Sequence, residues 1–135
     1  MPEMKIVKNE NKVFCVVHSP KDWKEGLYFL TDDGHSVQVG TWWYQAGKVL
    51  DRHYHNQFER SAPITMEVII VIQGALEIDI YDEQQKLVST FNAKKGDIVI
   101  FGYGGHGYRV LADNTKIIEV KNGPFLGVER DKTRF

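Results

Sequence analysis

The chain has 135 residues, 42% of them hydrophobic and 26% charged, with 17 basic against 18 acidic side chains. This length and composition are typical of one compact soluble domain, so residues 1–135 are expected to form a single domain. A net charge of -1 provides no strong field for polyanions, so neither nucleic acid nor a membrane is an expected partner. The single cysteine, Cys15, excludes an intrachain disulfide, and the expected location is the cytoplasm.

Short strands separated by turns are predicted along the first half of the chain. Residues 12–17 and 27–30 are short apolar runs between turn-forming residues, and each predicts a strand. Residues 36–45 are rich in β-branched and aromatic side chains and predict a longer strand. Residues 49–55, which contain two histidines, predict the next one, and residues 56–63 form a polar loop.

The second half of the chain has the same character. Residues 65–72 are continuously apolar, which predicts a strand covered on both faces. Residues 76–81 alternate apolar with mostly polar side chains, which predicts a strand that is half exposed. Further strands are predicted at residues 86–91, 98–101, 108–111 and 116–120. About ten short strands without a convincing helix predict an all-β sandwich or barrel.

Four side chains in these elements have the chemistry of metal ligands. His53 and His55 are two residues apart in a predicted strand, so their imidazoles lie on one face. Glu67 stands near the head of the apolar strand, and His106 lies in a glycine-rich segment. Imidazole and carboxylate suit iron, manganese, nickel or zinc. We therefore predict that these four residues bind a divalent transition metal, leaving one or two positions free for water or substrate.

The spacing of these residues resembles the first motif of the cupin superfamily. Gly47, five residues and then His53 and His55 match the first half of that motif. Glu67, six residues and then Gly74 match its second half. Eleven residues separate His55 from Glu67, where the cupin pattern has three or four, so an insertion of about seven is inferred.

The insertion leaves two candidates for the carboxylate ligand. Glu59 stands at the short spacing after His55, whereas Glu67 has the matching distance to Gly74 and a place at the head of a strand. We prefer Glu67 on those two grounds. Glu59 then lies in the inserted loop beside Arg60, over the mouth of a pocket.

The second cupin motif is matched more loosely by residues 96–106. Gly102 stands where the pattern has a proline, His106 comes one residue early, and Val110 replaces an expected asparagine. The resemblance covers about residues 37–120. It implies a single-domain cupin, a jelly-roll barrel or double-stranded β-helix, with its core in that range.

Four further residues are candidates for binding a substrate. Trp43 lies between Trp42 and Tyr44 on a predicted strand, where alternation sends it to the face opposite these two neighbours. Tyr108 and Arg109 follow His106 closely, and Arg60 lies in the inserted loop. An arginine pairs with a carboxylate or a phosphate through two parallel hydrogen bonds. We therefore add Trp43, Arg60, Tyr108 and Arg109 to the candidate site.

The resemblance favours a metal-dependent enzyme that acts on a small polar molecule, a sugar or a carboxylate, with Glu59 or His106 moving protons. The chain looks like small cupins associated with bacterial surface-sugar biosynthesis. One alternative is a non-catalytic module that binds metal or sugar. Another is a metal-free sugar-nucleotide epimerase or isomerase, with His53 and His55 as acid and base. A homodimer is expected, because an open barrel leaves strand edges that need covering.

Overall fold

The computed structural model describes residues 4–135 and contains ten strands there, all paired antiparallel. In chain order the strands are β1 (Lys5–Asn9), β2 (Lys12–His18), β3 (Gly26–Phe29), β4 (Gly40–Trp43), β5 (Glu67–Gln73), β6 (Ala75–Tyr81), β7 (Leu87–Lys94), β8 (Ile98–Phe101), β9 (Gly105–Val110) and β10 (Lys116–Lys121). A 3₁₀ turn at Pro20–Asp22 and a one-turn helix, α1 (Val128–Asp131), complete the described elements. The prediction of an all-β protein is confirmed.

The strands form three sheets. A five-stranded sheet has the order β1-β2-β8-β5-β10, and a three-stranded sheet has the order β7-β6-β9. The third sheet is the hairpin of β3 and β4. No helix in residues 4–135 combines the length and the hydropathy needed to cross a membrane.

The centre of the core lies between the five-stranded and three-stranded sheets. Ile69 and Val71 of β5 pack there in one cluster with Ile78 of β6. Met66 and Val68 point the other way and pack in a second cluster on the far face of the five-stranded sheet. Because successive side chains of a strand point to opposite faces, β5 is buried on both of its faces, as its continuous apolar run predicts. The alternation predicted for β6 is also confirmed, since every second side chain is buried.

Three predictions about strands are wrong. Residues 49–55 form no strand, and Tyr54, between the two histidines, is 86% exposed. The long strand predicted at residues 36–45 is reduced to the four residues of β4. A strand needs a hydrogen-bonded neighbour, and no backbone–backbone hydrogen bond in the described part of the chain involves residues 49–63. The strand propensity of these residues therefore does not lead to a strand within one chain.

The third error concerns the N-terminal part, where β1 is absent from the prediction. Val7 is the one buried residue of β1, so the strand has no apolar run that would indicate it. It pairs with β2, and β2 in turn pairs with β8. The main sheet therefore extends well outside the predicted core of residues 37–120.

Candidate metal and substrate site

Two predicted ligands meet between the sheets. Glu67 is the first residue of β5, and its side chain points toward the three-stranded sheet, where β9 presents His106 and Tyr108 two residues apart on its inner face. The hydroxyl of Tyr108 donates a hydrogen bond of 2.9 Å to Oε1 of Glu67. Nε2 of His106 lies 3.6 Å from the same oxygen. Glu67 is only 8% exposed, so this carboxylate depends on protein partners rather than on water.

The partners of Glu67 determine its charge. Burial alone raises the pKa of this carboxyl, but hydrogen bonds with His106, Glu119 and Tyr108 outweigh burial and lower the pKa to about 2. The pKa of Tyr108 is raised, first by burial and then by the negative charge of Glu67. At neutral pH the site therefore holds an ionised carboxylate beside a protonated phenol.

Two residues at this site are missing from the sequence-based prediction. Glu119 of β10 lies on the same face of the sheet as Glu67, and its interaction with that carboxyl raises the pKa of Glu119. The ring of Phe101, the last residue of β8, stacks on the imidazole of His106 with 4.1 Å between centroids and 21° between planes. Phe101 is also the register partner of Glu67. No spacing signal could indicate either residue, because both reach the site through pairing between strands that are distant in sequence.

The other two predicted ligands form a separate pair. The rings of His53 and His55 lie 5.2 Å apart, nearly perpendicular, on the exposed segment 49–63. Nδ1 of His53 lies 2.9 Å from the backbone oxygen of Asp51. Within residues 4–135 no group of three or more His, Cys, Asp or Glu side chains is close enough to hold a metal ion. Within one chain Glu67 thus lies beside His106 and His53 lies beside His55, but these two pairs of predicted ligands do not form one site.

The remaining candidates lie away from Glu67, apart from Tyr108. Glu59 and Arg60 are exposed on the segment 49–63, with the guanidinium of Arg60 3.7 Å above the ring of Phe58. Trp43 is exposed on β4. Arg109 pairs in register with Glu77 on the outer face of the three-stranded sheet, with Nε 3.9 Å from Oε1. Because alternate residues of β9 face opposite ways, the side chain of Arg109 points away from that of His106.

A cavity of about 540 Å³ lies at the end of the sandwich where β5 begins and β8 and β10 end. Glu67 is at this same end but is not one of the residues that line the cavity. Polar side chains of the lining include those of Thr65, Glu83, Tyr103, Asn122, Arg130 and Asp131. The volume is within the usual range for small-molecule sites. A small polar molecule fits the character of this lining.

Gly102, which stands where the resemblance expects a proline, has a structural explanation. The backbone N–H of Gly102 donates a hydrogen bond of 2.9 Å to the carbonyl oxygen of Phe14. A Cβ at position 102 would collide with the carbonyl oxygen of Val13. Proline has no N–H and carries a ring at this place, so this packing of β2 against the loop after β8 requires glycine.

No protein-family model matches this chain, and neither a curated protein nor a solved structure matches it. The chain is an all-β protein in which a buried carboxylate, an imidazole and a phenol join two antiparallel sheets.

Proposed function

We propose that the chain is a metal-binding cupin, a jelly-roll barrel in which His53, His55, Glu67 and His106 bind a divalent transition metal. One observation carries the proposal: Glu67 and His106, predicted as ligands from their side-chain chemistry and the cupin resemblance, lie 3.6 Å apart between the two sheets. They belong to strands that are far apart in sequence and in different sheets. Their contact is what a shared metal would require.

The donors of this half-site suit iron, manganese, nickel or zinc. Glu67 is ionised, as a carboxylate ligand must be, and its low pKa keeps it so at all ordinary pH values. Stacking on Phe101 fixes the ring plane of His106. When bound, such a metal supplies a Lewis acid that polarises a carbonyl or hydroxyl group. Tyr108 positions the carboxylate through its 2.9 Å hydrogen bond, in the way that outer partners orient ligands.

The proposed activity is that of an enzyme acting on a small polar molecule, a sugar or a carboxylate, bound in the 540 Å³ cavity. Arg130 in the lining supplies a cation for an anionic group. Of the two candidates for proton transfer, the geometry favours His106 over Glu59, because His106 lies at the buried cluster and Glu59 is exposed. The proposed compartment is the cytoplasm, where a lone reduced thiol such as Cys15 persists.

Elemental analysis of the purified protein, before and after incubation with each metal, tests the proposal. The expected content is about one equivalent per chain. Glu67→Gln should lose the metal, and the matched control Glu59→Gln should keep it. Retained binding in Glu67→Gln together with loss in Glu59→Gln would reverse the choice of carboxylate. Wild-type protein that holds less than about a tenth of an equivalent after incubation would contradict metal binding altogether.

A second candidate function is a metal-free sugar-nucleotide isomerase. It is favoured by the hydrogen bond between Tyr108 and Glu67, which holds a hydroxyl and a carboxylate beside the imidazole of His106. In this version His106, rather than His53 and His55, exchanges protons with the substrate. Isomerisation of a sugar nucleotide that survives chelation, and that is lost in His106→Ala but kept in His53→Ala, would favour it. Loss of activity with chelator excludes it.

A further inference from the structure

One side of the sandwich ends in two unpaired strand edges. β9 is the last strand of the three-stranded sheet and β10 is the last strand of the five-stranded sheet. The two edges are neighbours, because Tyr108 on β9 reaches Glu67 on β5, the strand next to β10. We call these two edges the open flank. A row of free N–H and C=O groups on such an edge is a template for another strand.

The open flank is apolar as well as unpaired. Tyr108 and Val110 point inward from β9 and are nevertheless exposed, because nothing in residues 4–135 covers them from the side. Ile118 and Val120 are exposed on the other face of β10. Exposed apolar side chains therefore lie beside both edges of the open flank.

The segment 49–63 contains a predicted strand, residues 49–55, that belongs to no sheet of the structure. It makes no backbone–backbone hydrogen bond within the described part of the chain, and its Val49, Tyr54 and Phe58 are exposed. The hairpin that leads into it also exposes large apolar side chains: Leu27, Phe29, Trp42 and Trp43. One chain therefore has both an unpaired strand edge on β9 and a segment with strand propensity that pairs with no strand.

Charge also matches the segment to the open flank. Glu67 presents a carboxylate on the inner side of the flank, and Lys121, its register partner on β10, is paired with Asp131 at 3.5 Å. The segment brings Arg52 directly before the two metal-ligand candidates His53 and His55. Arg52 thus supplies a charge opposite to that of Glu67.

The path of the chain separates the two halves of the site within one molecule. Val39 before the segment and Ile64 after it both pack in the cluster with Val68, on the face of the five-stranded sheet that is turned away from the three-stranded sheet. Glu67 and His106 lie on the other face. The chain thus enters and leaves the segment 49–63 from the face of the sheet opposite to Glu67 and His106.

We propose that residues 49–55 of a second copy of this chain pair with the edge of β9, in a reciprocal dimer. His53 and His55 of each copy then join Glu67 and His106 of the other, so that each metal site is shared between two chains. A two-fold dimer makes both exchanges at once, and it places the hairpin of each copy over Ile118 and Val120 of the other. The metal part rests on the proposed function, whereas the strand pairing does not.

Engineered disulfides test the pairing independently of any metal. The substitutions Tyr54→Cys and Arg109→Cys are combined in the full chain. Position 54 faces away from the two histidines and position 109 lies on the outer face of β9, so both thiols are on the outer side when the two strands pair. Mild oxidation should convert this variant into a covalent dimer on a non-reducing gel. The matched control is Tyr54→Cys with Thr90→Cys, on the outer face of the far strand β7, and it should stay monomeric.

Any other outcome of the oxidation experiment contradicts the proposed pairing of residues 49–55 with β9 of a second copy. A disulfide that closes within one chain, with no increase in mass, places the segment on its own β9. Absence of any cross-link, or equal cross-linking in the control, shows that the segment does not pair with β9.

Mixed dimers test the shared site. His53→Ala/His55→Ala chains and Glu67→Gln/His106→Ala chains, carrying different tags, are co-expressed, and the mixed dimers are purified through both tags. A shared site restores about half of the wild-type metal content, because one of the two sites is then intact. Metal content no higher than in either parent variant shows that sites form within one chain. If wild-type protein binds no metal, the proposed function fails, and the disulfide experiment still decides the exchange.

Discussion

The hydroxyl of Tyr108 and the carboxylate of Glu67, 2.9 Å apart, join the two main sheets. Glu67 begins β5 in the five-stranded sheet, and Tyr108 lies in β9 of the three-stranded sheet. The bond uses an ionised acceptor and a protonated donor, which is a strong combination in a buried place. It orients the carboxylate toward His106, so the geometry of the candidate site and the docking of the sheets depend on the same contact.

Tyr108→Phe removes that donor and leaves the ring in place. We expect the free energy of unfolding at pH 7 to fall by about 2 kcal/mol, because a buried carboxylate loses a hydrogen bond. Urea unfolding followed by circular dichroism measures the change. The control is Tyr54→Phe, whose ring is 86% exposed. Equal stability of Tyr108→Phe and wild type would contradict the role of this bond.

Glu119→Gln should change how stability depends on pH. The pKa of Glu119 is raised from 4.5, first by its hydrogen bond with Glu67. A raised carboxyl pKa stabilises the folded state below pH 4.5, and that contribution is lost as the pH rises through the raised value. Replacing a second carboxylate by a neutral amide should therefore stabilise the protein at pH 7, by about 0.5 kcal/mol, and have no such effect at pH 4.

Thermal unfolding across this pH range measures the difference. Glu67 contributes with the opposite sign, because its pKa of about 2 means that stability is lost as the pH falls from 4.5 toward 2. Glu129→Gln, at an exposed position of α1, controls for the loss of one negative charge. A stabilisation by Glu119→Gln that is the same at pH 4 and pH 7 would show that the two carboxyls do not interact.

Gly102→Ala should destabilise the protein, because the new Cβ collides with the carbonyl oxygen of Val13. Overpacking of this kind costs about 2 kcal/mol. Gly107→Ala is the matched control, since a Cβ there meets nothing within 4 Å. The difference between the two urea midpoints is the measurement. Two equally stable variants would mean that β2 does not approach the loop after β8 as closely as described.

Cys15 should resist alkylation in the folded protein. Its side chain is fully buried, and burial raises the pKa of the thiol to about 12, so almost no thiolate is present at pH 8. We expect mass spectrometry to find less than about a tenth of the chains modified by iodoacetamide before unfolding, and all of them in denaturant. The exposed thiol of Tyr54→Cys provides the reference rate. Modification of Cys15 at that rate would contradict its burial.

The sequence by itself determined the all-β class and most of the strands. The apolar run of β5 and the alternation of β6 indicate their faces directly, because side chains alternate whatever the neighbouring strand is. Side-chain chemistry together with the cupin resemblance also singled out Glu67 and His106, which the structure brings together. The extent of β4 and the existence of β1 could not be read in this way, since both depend on which partner strand is available.

Only the tertiary structure decided which residues surround Glu67. Glu119 and Phe101 reach it through the pairing of β10 and β8 with β5, and a linear pattern carries no record of strand order. It also placed Arg109 on the outer face and left residues 49–55 without a partner strand. A strand propensity becomes a strand only when another edge satisfies its backbone, and the available edge on β9 is where we propose that a second copy binds.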